Sequence, residues 1–337
     1  MTRTSQPLLL TLFAFLGLAG TAFALSDAEV AARYAPVIYQ EFSIYDDQPL
    51  DYLRRVDFDG DWNTRNNLDN AERSDVDNRG YVYFEVKETE THYFVTYYLY
   101  YARKAIIFNI KSENHSAGCV VVARKNAKAG QEIELFFTTG SGDKLSLIQT
   151  ENAKKWDRRK IENPRNGRKR KVSVKKTMAF DDADIDPNQN HPRLAVDPWD
   201  HKAGVRRRPT SRFDDRPYPF FTGRGIVYHP HSTVPHRSPT PGAVVVGYAL
   251  LPLSDLDQVQ NLDESKTHIL GSKSGKAQLP GAWKVPAPGF PTGALQKDPA
   301  RVVAELFKVR GEFSRTYLPR SESTGLNKVL AGATKPK

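Results

Sequence analysis

The run YVYFEVKETETHYFVTYYLYYARK, from Tyr81 to Lys104, limits the fold more than any other stretch of this chain. Tyr81 to Lys87 and Tyr93 to Tyr101 are dense in Tyr, Val and Phe, and Glu88 to Thr91 between them is a polar turn. The pair therefore reads as a β-hairpin. Both faces of its second arm are aromatic or aliphatic. A strand without a polar face has to be covered on both sides, as at the centre of a sandwich. Further strand signals follow at Cys119 to Ala123, Ile133 to Thr138, Leu145 to Gln149, Gly225 to Tyr228 and Ala243 to Leu251, and Gly140 to Asp143 is a hairpin turn. Strands at this spacing without intervening helices predict a mainly β fold: a twisted antiparallel β-sandwich with long loops, a short N-terminal helix and a C-terminal helix.

The helices are marked at their ends. Ser26 and Glu29 form a capping box before Val30, Ala31 and Tyr34, and Pro36 stops the helix. A first strand follows at Ala35 to Phe42. Near the other end Asp298 caps a helix with Pro299 at its first position, and Val302, Val303, Leu306 and Phe307 share one face. A helical turn is expected from Ser254. Gly271 to Gly293 reads as a loop draped over the domain, and residues 320–337 as a disordered tail.

Residues 1–24 read as a secretory signal: Arg3, an apolar run from Leu8 to Gly20, and an A-x-A site at Ala22 to Ala24. The run is too short to span a bilayer, and no later stretch is long enough. The expectation is an exported chain, secreted or periplasmic, starting at Leu25. A single β domain then covers 25–319, with a basic loop insertion at about 150–222. Its one cysteine, Cys119, cannot close an internal disulfide and sits in an apolar strand, where it reads as core.

The net charge is +10, and loss of Arg3 leaves +9. Such a balance favours anionic partners: anionic lipid, lipopolysaccharide or another polyanion. The charge is dense at Lys154, Lys155, Arg158, Arg159, Lys160, Arg168, Lys169, Arg170 and Lys171, and again at Arg206, Arg207 and Arg208. These residues read as an anionic-surface binding loop or, more plainly, as a solvated flexible loop holding at most one hairpin. Beyond Trp156 few aromatics are interleaved, which argues against stacking on single-stranded nucleic acid.

Ahead of the hairpin lies DFDGDWNTRNNLDN, Asp57 to Asn70. Its alternating acids suggest a calcium loop, but Gly60 falls at position four and Leu68 at position twelve, so it is not an EF-hand. A polar turn, with Asn and Asp bonding their own backbone, is the plainer reading. His229-Pro230-His231 and His236 read as a solvated loop, and His92 as a structural histidine. No G-x-S-x-G, Walker loop, H-E-x-x-H or Cys/His pair is present.

Three segments carry a resemblance: DFDGDWNTRNNLDN, the hairpin with ETETHYFVTYYLYY, and DPARVVAELF. Together they resemble a group of exported bacterial proteins of unassigned function. That group is distantly similar to vacuolar-sorting-62-like (Vps62-like) proteins and more remotely to the NPP1-like cytolysins. After the hairpin the group carries H-E-N-D-x-E-G, similar in placement to a divalent-metal stretch of the cytolysins. The matching residues here are Ser112 to Gly118, where only Glu113, Asn114 and Gly118 agree. Ala117 stands where an acid is expected, which implies that a family metal site is weakened or lost. The resemblance keeps a calcium or magnesium site at Asp57, Asp59, Asp61, Glu113 and His115 as a candidate. It also keeps two alternatives to surface binding: a secreted metal-dependent hydrolase and a cytolysin-like toxin.

Overall fold

The computed structural model describes residues 25–43, 52–105, 111–128, 131–139, 145–149, 160–162, 169–171, 191–196, 203–205, 221–230, 245–260, 279–285, 289–307 and 313–320. The signal segment and most of the basic residues lie outside them.

Helix α1 (Asp27–Tyr34) has the expected capping box: Glu29 N donates to Ser26 Oγ at 3.2 Å and Ser26 N donates to Glu29 Oε2 at 2.7 Å. The chain continues through β1 (Val37–Ser43), β2 (Leu53–Arg54) and the short helical turn α2 (Asn67–Asn70). It then enters β3 (Gly80–Glu88), β4 (His92–Ala105) and β5 (Lys111–Arg124). After β6 (Ile133–Thr139) and β7 (Leu145–Gln149), β8 (Lys160–Glu162) and β9 (Lys169–Lys171) form a separate two-stranded ribbon. The chain returns through β10 (Arg193–Val196), β11 (Ala203–Val205), β12 (Phe221–Pro230) and β13 (Val245–Pro252). Three short helices follow: α3 (Asp257–Gln260), α4 (Ala294–Lys297) and α5 (Pro299–Phe307).

The fold is mainly β, as expected. The two layers of the expected sandwich are limbs of one sheet, ordered β11-β10-β1-β12-β13-β3-β4-β5-β6-β7, with β2 also paired to β4. The sheet curls until β11, at one end of this order, lies against β5 and β6 near the other. It is mixed: β1 pairs with β10, β12 with β13 and β13 with β3 in parallel, and the remaining pairs of the order are antiparallel. Two strands of this sheet, β10 and β11, arise inside the stretch read as an insertion, so 150–222 is only partly peripheral. The Asp57 to Asn70 segment lies over the outer face.

The β3–β4 hairpin is as the sequence implies, and β4 is covered on both faces. Val95, Tyr97, Leu99 and Tyr101 enter an inner core with Val82, Phe84, Cys119, Val121, Tyr228 and Tyr248. Phe94, Tyr98, Tyr100 and Ala102 enter an outer core with Val56, Phe58, Trp283, Val302, Val303 and Leu306. Period-two alternation along each strand separates the two sets. Two of the inner tyrosines place their hydroxyls on backbone carbonyls. Tyr97 donates to Ala31 O at 2.6 Å, and Tyr248 donates to Pro36 O at 2.7 Å. Burial pushes both phenols and the Cys119 thiol well above their usual values, so Cys119 is core, not nucleophile.

Residues 313–320 form a strap across the hairpin. Leu318 N donates to Glu88 O at 2.8 Å, and Ser314 N donates to Thr91 Oγ1 at 2.9 Å. Arg320, the first residue assigned to the tail, is tied to Asp27 and Glu88 and donates to Leu25 O at 2.5 Å. The strap also fastens α5: Tyr317 donates to the cap Asp298 Oδ1 at 2.7 Å and accepts from Ala300 N at 3.0 Å.

Candidate functional site

The outer core ends, beside β2, in a polar layer under the Asp57 to Asn70 loop. Asn67 is 1% exposed. Its Nδ2 donates to Val56 O at 3.1 Å and to Tyr100 Oη at 2.6 Å. The Tyr100 hydroxyl in turn donates to Asn114 Oδ1, and Asn114 Nδ2 donates to Thr64 O at 2.7 Å. One chain of hydrogen bonds thus runs from the loop through β4 to β5 and back. Asn114 has φ +50°, a left-handed backbone that asparagine accepts more readily than most residues. Beside this layer the fully buried Arg54 lies 4.6 Å from the Phe58 ring centre.

Above the layer the loop is wound on its own side chains. Asp57 Oδ1 accepts from Trp62 N at 2.8 Å, and Asp61 Oδ1 accepts from Asn63 N at 2.7 Å. Two side-chain amides reach across the loop: Asn66, just ahead of α2, donates from Nδ2 to Asp61 Oδ2 at 2.6 Å, and Asn70 at its end donates from Nδ2 to Asp59 Oδ2 at 2.7 Å. The polar-turn reading of this segment therefore describes its local structure. Burial raises the Asp57 carboxyl above the usual range; the Trp62 amide and Arg55 oppose this, and the Asp59 and Asp61 charges add to it.

The five residues expected to share a metal are not gathered. Among the described residues, no three or more His, Cys, Asp and Glu side chains group to hold an ion. The reason lies in strand alternation. Asn114 turns to the loop, whereas Glu113 and His115 flank it on the opposite face of β5, the side on which Ala117 joins the inner core. The family-matched residue that meets the loop is thus Asn114. Tyr100 and Asn67 were not singled out in the sequence, because one of six Tyr and Phe residues on a single strand and an asparagine in an Asn-rich run carry no distinguishing mark. Arg54 was missed for a similar reason.

The other sequence candidates fall elsewhere. His229 lies on β12, opposite Gly247, so the strand continues through Pro230 where a loop was expected. His231 and His236 lie outside the described residues, as do Lys154, Lys155, Arg158, Arg159, Arg168 and Arg206 to Arg208. Lys160 stands opposite Lys171, Ile161 opposite Arg170 and Glu162 opposite Lys169 in the β8–β9 ribbon.

His92 is structural, as read. It is fully buried, with Nδ1 2.8 Å from Thr91 Oγ1 and Nε2 3.1 Å from Glu134 Oε2. Arg124 Nε also donates to Glu134 Oε1, at 2.6 Å. Burial alone would raise the Glu134 carboxyl, but the bonds from His92 and Arg124 outweigh it, and its pKa is lowered. A lowered folded-state pKa contributes stability above the unfolded value, and that stability is lost as pH falls through the folded value. Thermal melts from pH 7 to pH 3 should therefore show an acid-side loss that shrinks in Glu134→Gln. An unchanged slope in the variant would remove Glu134 from the account.

A cleft of about 1020 Å³ opens where β3 runs past the end of β13. Its walls include Glu85, Lys87, Asp257, Lys297 and Arg320.

The class defined so far is a mainly β domain built on one curled mixed sheet with a polar loop over its outer face. Solved structures similar to this chain are necrosis- and ethylene-inducing proteins. One is Necrosis and Ethylene inducing Protein 2 from the causal agent of cocoa's Witches Broom disease, at 12% identity and a TM-score of 0.30, covering 54% of this chain and 69% of that one. Another is NLPPya in complex with mannosamine, at 11% identity and a TM-score of 0.32, covering 82% of this chain and 88% of that one. A third is the non-toxic HaNLP3 protein, at 9% identity and a TM-score of 0.29, covering 54% of this chain and 71% of that one. No family model and no curated protein sequence matches.

Proposed function

We propose that this is an exported protein that binds an anionic surface through its basic stretch. The observation that carries the reading is where the charge sits. Residues 154–176 hold twelve Lys and Arg against two acidic residues. Their formal charge of +10 equals that of the whole 337-residue chain, so the other 314 residues sum to zero. This stretch includes the β8–β9 ribbon, which is hydrogen-bonded apart from the main sheet. Among the described residues no helix is long and apolar enough to cross a membrane. Export rests on the signal-like residues 1–24.

Kinship with the Vps62-like group is part of the same reading. It is supported by the meeting of the three segments that carry the resemblance: Phe58, the hairpin's Tyr83 and Tyr98, and Val302, Val303 and Leu306 share the outer core.

Each basic residue at an anionic membrane surface contributes about 1 kcal/mol at physiological salt. Replacing Arg168, Lys169, Arg170 and Lys171 together by glutamine should then weaken binding to phosphatidylglycerol vesicles on the order of a hundredfold or more. Co-sedimentation at 50 mM and 500 mM salt is the measurement, with phosphatidylcholine vesicles as reference. Binding that is absent at low salt, or indifferent to salt and to the four substitutions, would overturn the proposal.

A further inference from the structure

We propose that the cleft beside β3 binds an extended peptide, which adds a short strand to the open edge of β3 and carries a lysine or arginine beside Glu85. The edge in question is the one turned away from β4. β13 occupies it from Gly80 to Phe84, then leaves it at Pro252 for the helical turn Leu253–Leu256. The strap takes the edge up again at Glu88, where Leu318 N donates to Glu88 O at 2.8 Å. Between these two chains lie Glu85, Val86 and Lys87, and all three line the cleft.

Strand parity says which backbone groups are open there. Thr89 N donates to His92 O across the turn, so Thr89, Lys87 and Glu85 turn their N–H and C=O toward β4. Glu88, Val86 and Phe84 turn theirs the other way, in keeping with the bond from Leu318 N to Glu88 O. Phe84 meets β13 and Glu88 meets the strap. Val86 is the residue between them, and among the described residues no backbone bond outside the sheet reaches it. An N–H and a C=O left open on one strand edge are a template for an incoming strand, and main-chain pairing of this kind is a recurring way to hold a peptide.

The charges of the cleft choose the peptide. Glu85 Oε1 takes Lys87 Nζ at 3.1 Å, but Glu85 Oε2 is buried and has no hydrogen-bond partner among the described residues. A buried carboxylate oxygen without a donor is costly. A cationic side chain on the added strand is the cross-strand partner it lacks. Arg320 is already spent on Asp27 and Glu88. Counted together, the walls carry four acids (Asp27, Glu85, Glu88 and Asp257) against three bases (Lys87, Lys297 and Arg320), in a chain of +10. The cleft is an acidic spot on a basic molecule, which favours a basic peptide over an acidic one.

The probe is the end-blocked peptide Thr-Val-Lys-Val-Thr carrying an uncharged dye, titrated with the purified protein and followed by fluorescence anisotropy. A saturable rise is expected. With the lysine beside Glu85, the two valines turn their N–H groups to β3 and the lysine turns its own away. N-methylation of both valines should therefore weaken binding about tenfold, whereas N-methylation of the lysine should be tolerated. Replacing the lysine by glutamate should also cost about tenfold, and Glu85→Gln in the protein should narrow that difference. Ser254→Trp, at an exposed position on the cleft wall, should block the probe without touching the core. Four results would overturn the site: no saturable binding; equal effects of N-methylation at valine and lysine; a charge preference unchanged by Glu85→Gln; or binding indifferent to Ser254→Trp, which puts the peptide elsewhere.

Discussion

Gly118→Ala is expected to destabilise the protein by about 3 kcal/mol, the upper end of what one inserted methyl costs in a close-packed core. Gly118 lies on β5 opposite Tyr98, under the indole of Trp283. A Cβ there would stand 2.5 Å from Trp283 Cη2 and 2.6 Å from Tyr97 O. The first contact can be relieved by moving a side chain, but the second is with the backbone of the neighbouring strand. Urea unfolding should show a lower midpoint with an unchanged slope. In a Trp283→Val background the same substitution should cost less but not nothing, because the Tyr97 carbonyl is still there. A cost below about 0.5 kcal/mol in the native background, the range of ordinary surface changes, would mean that the sheet can open at this point.

Tyr100→Phe comes second in expected size. The substitution removes one oxygen from a side chain that is fully buried. That oxygen accepts from Asn67 and donates to Asn114, so two polar groups lose a partner at once. Each buried group left unsatisfied costs about 1–3 kcal/mol. Asn67 keeps its bond to Val56 O and Asn114 keeps its bond to Thr64 O, so the low end of the summed range applies, about 2–3 kcal/mol. Hydrogen exchange should localise the loss to the Asp57 to Asn70 loop and the adjoining part of β5. A loss spread evenly over the sheet would make Tyr100 ordinary core.

The parts legible in the sequence are those set by neighbours along the chain. Ser26 and Glu29 cap α1 as their spacing requires, and Arg301 N bonds the Asp298 cap at 3.1 Å. β7 spans Leu145 to Gln149 as expected, and the helical turn expected at Ser254 is there. β5 was read as Cys119 to Ala123 but begins at Lys111, because its first half, KSENHSAG, has few β-formers and is held by pairing with β4. The parallel joints were illegible for a different reason. β10 is the four residues RLAV in a charged stretch, and its place beside β1 depends on a partner more than 150 residues away. The site divides in the same way. The acids of the loop stand out in the sequence, but which residue of β5 faces them depends on strand parity, and a left-handed Asn114 is invisible until the strand is paired.

The strap joins two points of the fold that lie far apart in the sequence. Arg320 grips Leu25 and Asp27, so the first and last described residues are neighbours. A short peptide joining Leu25 to Arg320 would bridge a gap the fold has already closed. The domain is in effect a ring fastened at one arginine. Leu25 and Arg320 thus meet on one side of the described domain, next to the cleft that Arg320 helps to wall.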